Sequence, residues 1–145
     1  MVFEEGEHTA DILMHVRAGS LQELYAEAGH ALMATMYLGS ADPIVITSFE
    51  VTGESLEALL HAFLSELLFL SESENIVYSD ISVSIHQNDD RVLTLMATLK
   101  GEPFERTKHG GGSEVKGVSF CGMSIRHIPE QDEAEQYALD ILFDV

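Results

Sequence analysis

"SLEALLHAFLSELLFL", Ser55 to Leu70, decides the fold. Leu56, Leu59, Leu60, Phe63, Leu64, Leu67 and Leu68 recur at i, i+3, i+4 and i+7, the spacing that lines one face of an α-helix. Ser55 stands where an N-cap hydroxyl satisfies a free backbone N–H. Glu57, His61 and Glu66 interrupt the run, which is too short and too polar to span a bilayer. So broad a leucine stripe needs an apolar surface to lie on. Upstream, Ser20 and Glu23 form a capping box ahead of a second stripe, Leu21, Leu24, Tyr25, Ala28, Leu32 and Met36. Gly39 and Pro43 bracket its exit. The pattern V-x-x-x-S-L-x-x-L occurs at Val16–Leu24 and again at Val51–Leu59. The first half therefore reads as two strand–helix units.

The second half is rich in strands. "DISVSIH" alternates through Ile81, Val83 and Ile85, and "RVLTLMATLK" through Leu93, Leu95, Ala97 and Leu99. Asn88 to Asp90 supply the turn of a hairpin between them. "GVSFCGMSIRHI" and "YALDILFDV" read as two further strands. Residues 101–114 make a long connection, of the kind that is often functional. Two main helices and about six strands give an α+β protein: a two-layer sandwich, with both helices packed on a mixed β-sheet. The 145 residues fit a single domain, 1–145.

Hydrophobic residues make up 46% of the chain and charged ones 22%, the balance of a globular protein. The net charge is −18, with 25 acids against 7 Lys and Arg. Such a surface repels phosphate backbones, so no stable nucleic-acid binding is expected, and a cation or a basic protein is the natural counterpart. One cysteine, Cys121, allows no internal disulfide, and no signal peptide is visible. A cytoplasmic setting is expected, with no membrane association. The seven histidines lack zinc-ligand spacing, and Cys121 has no partner nearby in sequence. "HGGGS", His109 to Ser113, has the form of a backbone nest for an anion or of a flexible loop tip, and is no Walker loop.

Chemistry points to the strand ends. After "HTAD", His8 to Asp11, period two places Asp11 with Leu13 and His15, opposite Ile12, Met14 and Val16. On the last strand Asp144 shares a face with Asp140 and Leu142, opposite Leu139, Ile141, Phe143 and Val145. Both acids point away from the more apolar face. Gathered oxygen anions suit a hard divalent cation such as Ca²⁺ or Mg²⁺. Glu66 stands on the margin of the second leucine stripe, and Lys116 opens a strand just after the glycine loop. Each residue also has an ordinary reading, as a solvated acid or as an edge lysine.

Taken together, "HTAD", "FLSELLFL", "KGEPFERTKHGGGSEVKGVSF" and "DILFDV" resemble the archease family, in family order and over nearly the whole chain. The resemblance implies an α+β protein that is not an enzyme. Archeases are protein cofactors of the RtcB-type RNA-splicing ligase of tRNA splicing. They promote guanylylation of the ligase histidine by GTP, and multiple turnover. It implies a metal site at Asp11, Asp144 and Val145, and ligase activation through Asp11, Glu66, Lys116 and Asp144. Glu57, on the same helix as Glu66, is expected to lie outside that site. Gly117 stands where the family commonly has Ala, and Cys121 and Gly122 replace a typical His. The competing readings are a small metal-dependent hydrolase using the same acids, and a general chaperone or adaptor whose acidic face binds basic clients.

Overall fold

A computed structural model describes residues 11–128 and 136–145. The His8, Thr9 and Ala10 of "HTAD" and the side chain of Cys121 lie outside the described part. The elements run β1 Asp11–Ala18, α1 Leu21–Met36, β2 Val45–Gly53, α2 Leu56–Glu74, β3 Ile76–Gln87, β4 Leu93–Pro103, α3 Arg106–His109, β5 Gly117–His127 and β6 Tyr137–Asp144. The α+β class matches the expectation.

Both long helices begin where their serines predict. Ser20 Oγ accepts from Glu23 N–H at 3.2 Å, and Ser55 Oγ accepts from Ala58 N–H at 3.0 Å. α2 runs past the leucine stripe to Glu74 and stops at Asn75, whose φ of 57° places it in the left-handed region that closes helices. Leu24, Tyr25, Ala28 and Leu32 of α1 are fully buried, as are Leu59, Leu60, Phe63, Leu64 and Leu67 of α2. Tyr25 is the polar exception: its O–H donates to Leu56 O and ties α1 to the start of α2. Burial, with the charge of Glu57, pushes its phenol well above the usual tyrosine range.

The strands divide differently from the expected single mixed sheet. They form two sheets of three, ordered β1-β6-β5 and β2-β4-β3, and every pairing is antiparallel. α1 packs on β1 of one sheet and β3 of the other, and α2 on β5 and β2, so the helix pair serves both sheets. In each sheet the strand that leads into a helix pairs with the second strand of a hairpin. The repeated V-x-x-x-S-L-x-x-L marks this equivalence: Val16 and Val51 lie on the leading strands, Ser20 and Ser55 are N-caps, and Leu24 and Leu59 are buried. A strand's alternation shows which face is buried but not which strand it pairs with.

The glycine loop also differs from an anion nest. Ser113 N–H donates to Thr35 O, and Leu38 N–H to His109 O, strapping the loop onto the end of α1. A Cβ on Gly112 would come within 2.1 Å of Met36 O, and Gly111 has φ +103°, so glycine is required by contact and by conformation.

Candidate functional site

β1 and β6 set the site. Their antiparallel register places Asp11 opposite Asp144, Leu13 opposite Leu142 and His15 opposite Asp140. The burial of β1 alternates as its sequence predicts: Asp11, Leu13 and His15 are exposed, while Ile12 and Met14 turn inward against the core. On β6, Leu139, Ile141 and Phe143 are buried and Asp144 is half-buried. Val145 packs its side chain against the same core, which anchors the strand end beside Asp144.

Two carboxylates thus share one end of the outer face of the sheet. A hydrogen bond with Asp144, together with some burial and the Asp144 charge, raises the Asp11 carboxyl above the usual carboxylate range. A proton held between the two relieves their repulsion, and a bound cation would do the same. The third strand adds main chain here. Gly117 pairs with Asp144, and Lys116 N–H donates to Asp144 O at 2.7 Å. A Cβ on Gly117 would sit 3.7 Å from Asp144 Oδ2, ordinary contact, so an alanine would fit this position too.

The structure brings together Asp11, Asp144 and the backbone of Lys116. The Lys116 side chain is exposed. Glu66 is half-buried on α2 and makes no hydrogen bond or ion pair among the described residues. α2 nevertheless runs toward this end of β5: Glu57 in its first turn reaches Ile125, and His61 one turn later reaches Val118 O. Glu57 has a structural use outside that site: its Oε2 accepts from Ile125 N–H at 3.3 Å on β5. Among the described residues no group of three or more His, Cys, Asp or Glu stands ready for a metal. The Asp11–Asp144 pair offers oxygen donors suited to a hard cation, but fewer than the six to eight that Ca²⁺ takes.

Period two carried a further cluster on the same face. Asp140 accepts from His15 Nδ1 at 2.5 Å and from Arg126 Nη1 at 3.1 Å. These partners, His15 first, hold its carboxyl below the usual range. The alternation had already aligned His15 with Asp11 and Asp140 with Asp144. Arg126 was hidden by an irregularity in β5 between Ser119 and Ser124, which no spacing rule anticipates.

A model of the Archease protein family matches residues 3–145. "Protein archease" of Pyrococcus furiosus is 34% identical over 140 residues, covering 96% of this chain and 98% of that protein. "Protein archease-like" of Drosophila melanogaster is 32% identical and covers 100% of this chain and 91% of that protein. The solution structure of Methanobacterium thermoautotrophicum protein 1598 superposes with a TM-score of 0.76 at 29% identity, covering 96% of this chain and 95% of that one.

Proposed function

Because the chain belongs to the archease family, we propose that it is a non-enzymatic activator of an RtcB-type RNA ligase. In this reading it promotes the GTP-dependent guanylylation of the ligase histidine, and so serves RNA splicing and repair. The observation that carries the reading is the Asp11–Asp144 pair, two facing carboxylates with no side-chain cation to neutralise them among the described residues. Asp11, Asp144 and a main-chain oxygen of Val145 hold a divalent cation, Ca²⁺ or Mg²⁺. When bound, the cation supplies positive charge for a polyphosphate in the ligase pocket. Glu66 and Lys116 flank this end, the lysine contacting a phosphate or a ligase acid.

The test is labelled-GTP transfer to the ligase with and without this protein. Asp11→Ala, Asp144→Ala, Glu66→Ala and Lys116→Ala each remain folded by circular dichroism and lose most of the stimulation. Lys116→Ala does so while keeping its metal response. Glu54→Ala, at an exposed acid without a partner among the described residues, is the control, since Glu57 supports β5. Equal losses in Glu54→Ala and Glu66→Ala would reduce the effect to general acidity and end this reading.

A further inference from the structure

A cleft of about 290 Å³ opens between the C-terminal ends of α1 and α2, and the glycine strap forms its third side. Tyr37, Phe104 and His109 line it. The Tyr37 and Phe104 rings lie 5.6 Å apart, and those of Phe104 and His109 lie 6.0 Å apart. These rings are held from behind. The Tyr37 O–H donates to Ser71 Oγ, which donates on to Ile76 O, and both nitrogens of the buried His109 are engaged by Glu105 N–H and Glu102. Glu72 and Glu114 stand exposed on the walls, and neither has a hydrogen-bond or ion-pair partner among the described residues. Glu72 is close enough to Tyr37 to help burial hold that phenol above the usual tyrosine range. The strap presents no side chains at Gly110, Gly111 and Gly112, so this wall of the cleft stays open.

Aromatic faces in a cleft whose walls also carry two carboxylates suit a cation on an apolar stem. The volume is at the low end of the range for small-molecule sites, about 300–1,000 Å³, and suits one long side chain. We propose that this cleft receives an arginine side chain of a protein partner, its guanidinium addressed to Glu72 and Glu114 and its stem laid over Tyr37 and Phe104. The planar fork of arginine can meet two carboxylates and stack on a ring, which a lysine ammonium does not do. The source is a protein rather than free arginine. Among the described residues no lysine or arginine lines the cleft to pair the α-carboxylate of the free amino acid, whereas an arginine within a protein chain carries none. The cleft shares no residue with the Asp11–Asp144 end, so its failure would leave the ligase reading untouched.

The experiment is a titration of the ¹⁵N-labelled full chain at physiological ionic strength, followed through the amides of Gly110, Gly111, Gly112 and Glu114. The probes are N-acetyl-arginine methylamide, the matching citrulline derivative and free arginine. The blocked arginine should bind saturably, with a Kd on the order of 1 mM, and with shifts centred on the strap. The citrulline derivative and free arginine should each bind much more weakly. Glu72→Gln with Glu114→Gln should weaken the blocked arginine by roughly tenfold, the loss of charge-assisted pairing, whereas Glu54→Gln should not. Equal binding of the citrulline derivative, shifts spread across the acidic surface, or an unaffected double variant would overturn the cation site. Free arginine binding as tightly as the blocked form would overturn the protein source.

Discussion

Two groups of acids in this molecule have opposite surroundings. At the strand ends of β1 and β6, Asp11 faces Asp144, and the pair raises the Asp11 carboxyl. At the end of β4, Glu102 takes Lys108 Nζ at 2.5 Å and the Nε2–H of fully buried His109 at 2.9 Å. Glu105 N–H donates to Nδ1 of that histidine, which leaves the proton on Nε2 and points it at Glu102. The Lys108 hydrogen bond comes first among the causes that lower the Glu102 carboxyl. A carboxylate that brings its own cation is finished, and its work is to pin the strap to the sheet. A pair of facing carboxylates that raises one of its own members is a cost to the fold, which a proton or the proposed cation would relieve. Charge counting along the sequence sees only acids in both.

The largest expected effect separates the two groups by metal. If the pair at the strand ends takes a cation, melting of the parent protein should shift upward with Ca²⁺ or Mg²⁺. The gain follows RT ln(1 + [L]/Kd), about 2.7 kcal/mol at a hundredfold excess over Kd. Asp11→Asn should lose the response, while Glu102→Gln should keep it. A response of equal size in the parent and in Asp11→Asn would place the cation elsewhere.

Next comes the paired group. Glu102→Ala leaves the Nε2–H of a fully buried histidine without an acceptor, a loss of about 1–3 kcal/mol. Glu102→Gln retains an acceptor for His109 and gives up only the ion pair, so its melting temperature should fall less. The sign with pH follows from the lowered carboxyl. Its contribution is present above the ordinary carboxylate range and is lost as pH falls through the depressed folded value. The acid side of the stability curve should therefore flatten in Glu102→Gln. An unchanged acid limb would mean that the carboxylate is not the group that Lys108 stabilises.

Asp11 should show the reverse. Its raised carboxyl binds a proton more readily in the folded state than in the unfolded one, so stability is lost as pH rises from the ordinary carboxylate value through the folded one. In metal-free buffer at neutral pH, Asp11→Asn should melt slightly higher than the parent, and the difference should vanish in acid. A lower melting point for Asp11→Asn under those conditions would break the contrast with Glu102.

Much of this was legible in the sequence because it is periodic. Helical spacing in Ser55–Leu70, alternation in Asp11–Ala18 and the N-cap serines are local properties, and local geometry enforces them. The shared face of Asp11 and His15, and of Asp140 and Asp144, came from the same rule. What stayed hidden was pairing. That Asp11 meets Asp144 was expected from the family resemblance, but spacing alone could not give it, because it depends on a register between strands at opposite ends of the chain. The division of six strands into two sheets depends on which hairpin each leading strand joins. The structural use of Glu57 depends on α2 lying across β5. The glycines of residues 110–112 read equally as nest or tip, because only contact with Met36 O decides between them.

The smallest effect concerns Asp140, which lies between the two extremes. It is on the same strand and face as Asp144, yet it has a histidine and an arginine as hydrogen-bond partners, as Glu102 has a histidine and a lysine. Unlike the Glu102 group, these partners are open to water: the His15 side chain is 68% exposed and that of Arg126 is 47% exposed. Solvent and salt screen such contacts, so Arg126→Ala should cost no more than about 1 kcal/mol, and less in high salt. Carboxyl resonances should still report the loss. With Arg126 removed, the Asp140 carboxyl should titrate closer to the ordinary value, and His15→Ala should move it further, because the His15 hydrogen bond is the larger of the two causes. If neither substitution moves that titration, the two contacts do not bias Asp140, and its contrast with the raised Asp11 carboxyl cannot come from the partners that flank it.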